Sequence, residues 1–447
     1  MRERLIKSRW VYVYPRGSTI ALFNAWTLEI FFGDKETSDL FSFLKEPHSM
    51  DEVFVFLKKK DRETRKKLET LKQEGFIVSE HTEELQHIEN WKNKQIKISK
   101  KELGRGLKLN SLRVILTEKC NFSCKYCFVK TRKKGNLKTI SWDNLKRGVD
   151  LLLELSDSIE VQFFGGEPLI EFGLIKKSVN YINQRAPEVY YGITTNATLM
   201  DEEKANFMKE NNFLVSVSLD GWEALHNENR TYLDGRGTFQ NTIEGIKILQ
   251  DKGNEIGILI TPAENNVNQL AEACEYIINN LGCKFITINT PQPYKGNWPV
   301  DGRLFSQEIK KCFEVAKKHK ATINSFGTRV LYSINDKKPM ILSCSKFGNN
   351  FTATLTPEGG ISPCIVSWDC KEYISSLENF SYIGKFSDWK IDSPYFFKKC
   401  TDCPAMNVCG GPCPLEVYEM KKFLEPIDHQ RCRFFEDFLE WSIWYEE

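Results

Sequence analysis

Residues 111–127 read SLRVILTEKCNFSCKYC, an apolar run that leads directly into three cysteines. The apolar run predicts a buried strand. Cys120, Cys124 and Cys127 follow with three and then two residues between them, so one short loop carries three thiols. A zinc site would need a fourth protein ligand nearby, whereas an iron–sulfur cluster can be held by three thiolates with one iron left open. We therefore expect a strand that ends in a metal centre.

Strand-like and helix-like segments alternate from this stretch to about residue 310. Amphipathic helical runs separate the strands, which predicts parallel βαβ units in an α/β fold. The pattern leaves two architectures open, a doubly wound sheet and part of a barrel, and both bind ligands at the carboxyl ends of their strands. The further strand-like runs are IEVQFFGG (159–166), VYYGITTN (189–196), FLVSVSLDG (213–221), EIGILIT (255–261) and CKFITINT (283–290).

The composition is that of a folded protein with little net charge. Of 447 residues, 41% are hydrophobic and 27% charged, and 62 basic against 60 acidic residues give a formal net charge of +2. This balance argues against nucleic acid or an anionic membrane as a partner. The N-terminal stretch MRERLIKSRWVYVYPRG has no apolar signal-peptide core, and no run of about 18 apolar residues occurs. We expect a cytoplasmic protein without a membrane partner.

Fourteen cysteines are best explained by metal binding, because disulfides are disfavoured in a reducing compartment. Beyond the first three, seven lie between residues 364 and 432, with Cys344 just upstream. Cys274, Cys283 and Cys312 stand apart among apolar and helical residues, and we expect them to be buried, inert thiols.

The rest of the chain divides around the α/β region at 110–310. Residues 1–90 combine aromatic, β-branched strands with three short helices, which predicts a winged-helix-like domain. Residues 91–109 are polar and Lys-rich and are interpreted as a linker. Residues 311–343 are expected to be helical and connecting. Residues 344–447, with a hairpin turning near residue 358 and a closing amphipathic helix, are expected to fold around metal.

The first cysteine motif resembles the signature of an enzyme family. C-x3-C-x-aromatic-C, with Tyr126 as the aromatic residue, is similar to the pattern of radical S-adenosylmethionine (SAM) enzymes. The resemblance implies a partial (β/α)6 TIM-type barrel and a catalytic [4Fe–4S] cluster on Cys120, Cys124 and Cys127. It also implies that the open iron binds SAM, and that one electron cleaves SAM into methionine and a 5′-deoxyadenosyl radical.

Three strand ends resemble the SAM-binding motifs of the same family. GGEP (165–168) has two glycines that would let the backbone approach the cofactor. TTNAT (194–198) resembles the usual TNGT, with Ala197 in place of glycine, and SVSLDGWEALHNENR (216–230) resembles SxDGxxxxHxxxR. The SAM-binding residues that the resemblance implies are Tyr126, Gly165, Gly166, Glu167, Pro168, Thr195, Asn196, Ser218, Asp220 and Arg230.

The resemblance also assigns roles to three of these residues. Glu167 would accept a hydrogen bond from the ammonium group of SAM, and Ser218 would contact its ribose. Arg230 would bind the carboxylate, a role that suits the planar fork of arginine. Each residue alone could belong to an ordinary turn, and it is their order along one βα repeat that makes the match specific.

The C-terminal cysteines resemble the seven-cysteine SPASM domain, which implies two auxiliary [4Fe–4S] clusters. By position, Cys400, Cys403, Cys409 and Cys432 would hold one cluster, and Cys344, Cys364 and Cys413 the other. Some relatives have an eighth cysteine that this chain lacks, so the inner cluster has an open iron or is closed by Cys370. Because spacing alone does not fix the metal, zinc at residues 400–413 stays an alternative.

SPASM-bearing enzymes mostly modify peptides or proteins, so the resemblance implies a ribosomal precursor peptide with a leader as partner. The N-terminal strands could bind the leader by strand addition, although packing against their own helices explains them equally. We expect a thioether between a cysteine sulfur and a carbon, with carbon–carbon cross-linking as the alternative. Sulfatase maturation is disfavoured, since Ile365 stands where those enzymes carry an acid. A flavodoxin- or ferredoxin-type protein would supply electrons, and a redox-inactive scaffold is the non-enzymatic alternative.

Overall fold

A computed structural model gives the fold. It describes residues 4–102, 109–129, 136–156, 159–186, 188–291, 298–340, 351–369, 374–377, 394–413, 417 and 427–445.

The N-terminal part contains two small antiparallel sheets and four helices. Three of the four helices begin at a side-chain cap, Asp34, Ser49 and Asp61, and the Ser49 cap is a capping box with Glu52. Strand β1 pairs with β5 and β6, and the other sheet has the order β2-β3-β4. The elements are β1 Arg4–Lys7, β2 Val11–Arg16, β3 Thr19–Asn24, β4 Ile30–Gly33, α1 Lys35–Phe43, β5 His48–Ser49, α2 Met50–Leu57, α3 Arg62–Gln73, β6 Ile77–Val78 and α4 His81–Glu102.

The central hairpin of this part is buried on both faces. Ile20 and Leu22 of β3 pack into a core formed with α1, α2 and α3. Ala21 and Phe23, which point the other way because side chains alternate along a strand, join the large core of the rest of the molecule. The hairpin thus packs against its own helices on one face and against the rest of the molecule on the other. Only the packing against its own helices was predicted.

Helix α4 occupies most of the predicted linker, as far as Glu102. Ile88 is buried and Trp91 packs against the large core, so the helix is anchored to the molecule at its apolar positions. The high content of Lys and Glu in this segment is compatible with helix, since both residues have good helix propensity.

The central region alternates strands and helices as predicted. All six predicted strands are present, each followed by the helical stretch or stretches that the amphipathic pattern indicates. The elements are β7 Leu109–Thr117, α5 Trp142–Leu155, β8 Ile159–Gly165, α6 Phe172–Asn183, β9 Val189–Thr195, α7 Glu202–Glu210, β10 Leu214–Ser218, α8 Glu223–Asn229, α9 Phe239–Asp251, β11 Ile256–Ile260, α10 Leu270–Leu281, β12 Phe285–Ile288, α11 Gly302–His319, β13 Thr322–Asn324 and α12 Phe326–Asn335.

The strand order settles which α/β architecture the chain adopts. Strands β7 to β13 are parallel and lie side by side in chain order, without the reversal that defines a doubly wound sheet. This confirms the α/β fold with a barrel-type parallel sheet. Strand β13 was not expected, because its three residues lie between two longer helices in a region predicted to be helical.

The C-terminal region extends this sheet. Strand β14 pairs in parallel with β7, and β15 pairs with β14 as the predicted hairpin. The same sheet therefore carries the loop with Cys120 and the strand that precedes Cys364. The elements are β14 Phe351–Leu355, β15 Gly360–Ser362, β16 Ser375–Ser376, α13 Lys398–Thr401, α14 Met406–Cys409 and α15 His429–Ile443.

Helix α15 packs its apolar face against α11 and α12, as its amphipathic pattern predicts. Phe434 and Phe438 are fully buried on its inner face. The ring centroid of Phe434 lies 5.1 Å from that of Phe305 in α11 and 6.1 Å from that of Phe326 in α12. Aromatic packing thus fixes the last helix against the bridging region.

Cys274, Cys283 and Cys312 are buried, as predicted. The Sγ atoms of Cys274 and Cys312 lie 3.8 Å apart between α10 and α11. Over the ranges that the structure describes, no helix combines the length and apolar character that crossing a bilayer requires.

Candidate functional site

The cysteine loop begins directly after β7 and holds Cys120, Cys124 and Cys127 partly exposed. The Phe122 backbone N–H donates to the Sγ of Cys120 over 3.3 Å, which orients this thiol. Burial raises the pKa of Cys120 to about 12 and that of Cys124 to about 11. Without metal, Cys120 and Cys124 are therefore protonated at neutral pH, and a metal must displace their protons to bind.

The donor set fits an iron–sulfur cluster held by three thiolates. The pKa of Cys120 is raised further by the charges of Glu167, Cys124 and Cys127, so these groups lie near one another. Within the described ranges, no three cysteine, histidine or carboxylate side chains already enclose a point where a metal ion would fit. The fit rests on the chemistry of three soft thiol donors on one loop, to which no other described residue adds a fourth.

The root of the cysteine loop lies on the end of β8. The backbone N–H of Gly166 donates to Thr117 O over 2.7 Å, and that of Glu167 donates to Lys119 O over 2.9 Å. A side chain at Gly165 would collide with Thr117 O, and one at Gly166 with Lys119 O. The two glycines are thus required by the close contact of two protein segments. The prediction was instead that they allow the backbone to approach the cofactor.

Glu167 is 1% exposed and joins two of the predicted motifs. Its carboxylate accepts hydrogen bonds from Leu169 N (3.0 Å), Thr195 Oγ1 (2.7 Å) and Asn196 N (2.8 Å). Burial raises the pKa of Glu167 to about 7, against the effect of these three donors. The structure therefore brings Glu167, Thr195 and Asn196 together, and the contact of Glu167 with an ammonium group stays a prediction.

An amide network ties the cysteine loop to the end of β9. Asn196 Nδ2 donates to Asn121 Oδ1 over 2.8 Å, and Asn121 Nδ2 donates to Thr198 Oγ1 over 2.9 Å. Asn121 and Thr198 were not among the predicted site residues. Their signal was position, since Asn121 directly follows Cys120 and Thr198 ends the TTNAT motif.

Tyr126, Asp220 and Arg230 form a buried cluster behind the cysteine loop. Arg230 donates to both carboxylate oxygens of Asp220, with 3.0 Å for each contact, and the Tyr126 hydroxyl donates to the same carboxylate. Burial opposes ionisation of Asp220, but the Arg230 charge outweighs it and lowers the pKa of Asp220. The Arg230 guanidinium carbon lies 5.3 Å from the Tyr126 ring centroid. The arrangement fixes Tyr126, and with it the loop between Cys124 and Cys127.

This pairing bears on the role predicted for Arg230. Its side chain is buried and its guanidinium is engaged by Asp220, with Thr261 Oγ1 as a further contact at 3.4 Å. Binding of a substrate carboxylate by Arg230 therefore stays a prediction, while its bond to Asp220 is the contact present in the structure.

His226 supports this cluster from behind. It is fully buried, with Nδ1 3.4 Å from the Asp220 backbone N and Nε2 3.0 Å from Thr238 Oγ1. Burial lowers the pKa of His226 to about 3, so the ring is neutral. This histidine belongs to the motif at residues 216–230, but no role was predicted for it.

The remaining predicted residues lie at the same edge of the sheet. Pro168 is buried at the start of a short 3₁₀ turn after β8, and Ser218 is the last residue of β10. Because β8, β9 and β10 are adjacent and parallel, their carboxyl ends meet there. Contacts of Pro168 and Ser218 with SAM stay predictions.

An apolar cluster lies beside Cys127. Ile115, Val129 and Trp368 are buried in it, and Cys127, Phe128 and Ile365 pack against them. The residue that follows Cys364 is therefore close to the first cysteine motif and lies in an apolar environment.

The second group of cysteines lies on and between the last helices: Cys400 in α13, Cys403 between α13 and α14, Cys409 in α14 and Cys432 in α15. Burial raises the pKa values of Cys400 and Cys432 to about 12, and the charge of Cys409 contributes to both. Burial also raises the pKa of Cys403, with further contributions from Cys409 and Cys432. These four thiols, called the outer cysteine set below, thus lie near one another. Of the other predicted set, Cys364 and Cys413 are described, whereas Cys344 lies outside the described residues, as does Cys370, the predicted alternative to an open iron.

Sequence comparison finds a family profile and several relatives. The profile of the Radical SAM superfamily matches residues 114–277. An uncharacterized protein of Methanocaldococcus jannaschii is 35% identical over 40% of this chain, which spans only 62% of that relative. A cysteine-type anaerobic sulfatase-maturating enzyme of Clostridium novyi is 32% identical over 66% of this chain and 84% of its own length. The antilisterial bacteriocin subtilosin biosynthesis protein AlbA of Bacillus subtilis is 24% identical over 69% of this chain and 68% of its own length.

Two solved structures share the fold. Native anSMEcpe with bound AdoMet aligns with a TM-score of 0.63 and 19% identity, over 74% of this chain and 96% of that one. Streptococcus suis SuiB bound to the precursor peptide SuiA aligns with a TM-score of 0.53 and 16% identity, over 95% of this chain and 98% of that one. The second likeness extends over nearly the whole chain, whereas the first leaves part of it unmatched.

Proposed function

Because the chain belongs to the radical SAM superfamily, we propose that it modifies a ribosomally synthesised precursor peptide and joins a cysteine sulfur to a carbon of that peptide. The observation that carries the proposal is the fold that 95% of the chain shares with SuiB, a protein solved with a precursor peptide. The relationship to AlbA, a bacteriocin biosynthesis protein, supports the same class of substrate.

Cys120, Cys124 and Cys127 would hold a [4Fe–4S] cluster, which supplies the electron that cleaves SAM and so generates the hydrogen-abstracting radical. The protein contributes orientation and exclusion of water around it. Asp220 holds Tyr126 and Arg230 in place, which fixes the loop from behind. Ile365 and Trp368 provide an apolar wall beside Cys127, where solvent would otherwise quench a radical.

Glu167 is the residue best suited to bind the SAM ammonium group. Its carboxylate is buried at the ends of β8 and β9, and its oxygens accept from three protein donors that also favour the ionised form. With a pKa raised to about 7 by burial, this carboxyl is partly protonated near neutral pH, and a cation beside it would shift it to the carboxylate.

Thioether formation must balance two hydrogens. One leaves the acceptor carbon as a hydrogen atom and ends in 5′-deoxyadenosine, and the other leaves the thiol as a proton together with one electron. We propose an auxiliary cluster on Cys344, Cys364 and Cys413 as the acceptor of that electron, with an open iron for the thiol because the eighth cysteine is missing. The apolar setting of Ile365 leaves no carboxylate base at that position.

The test uses the anaerobically loaded full-length protein with dithionite, SAM and a cysteine-containing precursor peptide. We expect 5′-deoxyadenosine and a peptide that has lost two hydrogen atoms and one alkylatable thiol. Cys124→Ala should abolish both products, while Cys283→Ala, which removes a buried cysteine far along the chain, is the matched control. A product that keeps its alkylatable thiol would instead indicate carbon–carbon cross-linking.

Sulfatase maturation is the second candidate, favoured by the 32% identity to the Clostridium novyi enzyme. It would require this chain to oxidise a single cysteine or serine side chain in a sulfatase peptide. The apolar cluster around Ile365 argues against this reaction, because the resemblance implies that sulfatase-maturating enzymes carry at that position an acidic residue that acts as a base. Conversion of a sulfatase-derived peptide, with no change to a precursor peptide, would favour this alternative.

A further inference from the structure

The N-terminal hairpin lies directly on the segments that carry the outer cysteine set. Trp10 Nε1 donates to Thr401 O over 3.3 Å, and the Tyr12 hydroxyl donates to Asp402 O over 2.7 Å. Thr401 and Asp402 are the two residues between Cys400 and Cys403. Both backbone carbonyls of this short connection are thus held by side chains from the other end of the sequence.

A second bond reaches the segment before Cys409. Asn407 Nδ2 donates to Trp26 O over 2.9 Å, and the Tyr395 hydroxyl donates to Asn407 Oδ1 over 2.6 Å. The Trp26 ring stacks on Trp10 with centroids 4.6 Å apart and lies 5.4 Å from the Tyr395 ring. The N-terminal residues therefore form an aromatic layer over the segments before Cys403 and before Cys409.

A charge lies at the same place. Arg9 forms an ion pair with Asp402, and their side chains are 25% and 57% exposed. The hydrogen bond from Tyr12 to Asp402 O places this phenol against the residue that precedes Cys403. The contacts thus include hydrogen bonds, aromatic cover and one guanidinium.

We propose that the N-terminal domain, besides any role in peptide recognition, is the outer cover of the auxiliary cluster held by Cys400, Cys403, Cys409 and Cys432. Arg9, Trp10 and Tyr12 act as positioning residues that set the solvent access and the reduction potential of that cluster. The inference rests on the sequence prediction that these four cysteines hold a cluster, within the radical SAM function proposed above, and not on the identity of the peptide.

The physical basis is that net charge, hydrogen bonding around the ligands and solvent exposure tune the potential of an iron–sulfur cluster. Removing the Arg9 charge leaves the Asp402 carboxylate uncompensated beside the cluster. Since reduction adds negative charge, the potential should then become more negative.

The first test is a redox titration followed by electron paramagnetic resonance on the loaded full-length protein. Cys403→Ser identifies the signal of the outer cluster by its loss. Arg9→Gln should shift the midpoint potential of this signal to more negative values. Lys337→Gln is the matched control, because Lys337 pairs with Glu29 across the same domain boundary, with side chains 55% and 25% exposed, but lies two residues after the end of α12, outside the cysteine-bearing segments.

The second test measures solvent access. Tyr12→Phe removes one hydroxyl and leaves the ring, so the protein should fold and keep its iron, but the outer signal should be lost in air about twofold faster or more. Tyr190→Phe, at a tyrosine that is 65% exposed on β9, is the control and should leave the rate unchanged.

The outcomes separate this inference from the proposed function. The proposed covering role is wrong if Arg9→Gln leaves the midpoint potential of the outer cluster unchanged and Tyr12→Phe leaves its rate of loss in air unchanged. This conclusion holds whether or not the protein modifies a peptide. If Cys403→Ser keeps every electron paramagnetic resonance signal, both the predicted ligand set and the proposed covering role of the N-terminal domain are wrong. If Arg9→Gln shifts the midpoint potential of the outer cluster but the unmodified protein acts on no peptide, the covering role is supported and the proposed function is contradicted.

Discussion

Ala197 adopts a left-handed backbone conformation, with φ of +62°, at the position where the resembling motif has glycine. Its side chain is fully buried, and the residue packs against Gly245. We expect Ala197→Gly to change the free energy of unfolding by less than about 1 kcal/mol, because relief of the left-handed strain offsets the added freedom of the unfolded chain. Ala197→Val should cost about 2 kcal/mol or more, because a β-branched side chain is unfavourable there.

Urea unfolding of the protein before cluster loading measures both variants. Equal stability of the valine and glycine variants would show that the backbone at this residue is not left-handed. SAM cleavage by the loaded glycine variant should match that of the unmodified chain, since the variant restores the usual motif.

His226 predicts a pH dependence of stability. Burial lowers its pKa to about 3 from an ordinary value of 6.5, so between these values the unfolded chain binds more protons than the folded one. The free energy of unfolding therefore falls as the pH drops below 6.5, by up to about 1.4 kcal/mol per pH unit from this group.

The prediction is checked by urea unfolding at pH 6.5 and pH 5. His226→Gln should reduce the loss of stability between these values by about 1 to 2 kcal/mol. Parallel pH profiles for His226→Gln and the unmodified chain would mean that the ring takes up its proton without cost.

At the scale of elements, the contact between β8 and the cysteine loop decides whether the site forms. A methyl group at Gly166 would collide with Lys119 O, so the loop must move and the bond from Glu167 N to Lys119 O must weaken. We expect Gly166→Ala to cost about 2 kcal/mol or more in the free energy of unfolding and to lower SAM cleavage at least tenfold.

Gly173→Ala is the matched control for this substitution. Gly173 lies in the first turn of α6, and among the described residues no atom beyond its own helix turn lies within 4 Å of an added side chain. Its replacement should leave SAM cleavage intact and change stability by less than about 1 kcal/mol, in the stabilising direction. Equal effects of the two substitutions would contradict the role of Gly166.

The elements of the fold were predictable where their pattern is long and local. The β-branched runs and the amphipathic helices between them give the order of the central region, and β13 was missed because three residues carry too little pattern. The parallel pairing of β14 with β7 joins residues more than two hundred positions apart, and nothing local in Phe351–Leu355 specifies that partner. Local sequence predicts elements, whereas their long-range neighbours depend on the packing of the whole chain.

The same limit applies to the candidate site. The motifs at the strand ends indicated Glu167, Thr195 and Asn196, which the structure brings together. The motifs did not predict that Arg230 pairs with Asp220, since a motif records which residues stand near a site and not which of them bond to one another. Cys344 and Cys370 remain sequence predictions.

At the scale of the whole molecule, the N-terminal domain shares a core with the remainder. Phe23 and Leu28 belong to the same buried cluster as Met406 and Val408. A tethered recognition module would instead bury its apolar residues within itself and meet its neighbour through a more polar interface. This shared core predicts that the domain cannot be removed without harm to the cysteine-rich region.

Truncation of residues 1–80, which keeps α4, should expose the aromatic layer around Tyr395 and the apolar surface near Met406. Because buried apolar area stabilises a protein by about 25 cal/mol per Å², we expect lower soluble yield, a lower melting temperature and less iron in the truncated protein. Phe32→Thr, on the edge strand β4, is the comparison: the ring is 54% exposed and lies 5.2 Å from the Trp444 ring, so the substitution removes one exposed contact between the two parts but no buried core residue. It should change stability by less than about 1 kcal/mol. If the truncated protein instead keeps the melting temperature and iron content of the full chain, the two parts are independent and the shared core contributes nothing measurable. If only the truncated protein loses iron, while Phe32→Thr keeps its iron and alters peptide modification, then stability and recognition reside on different surfaces of one domain.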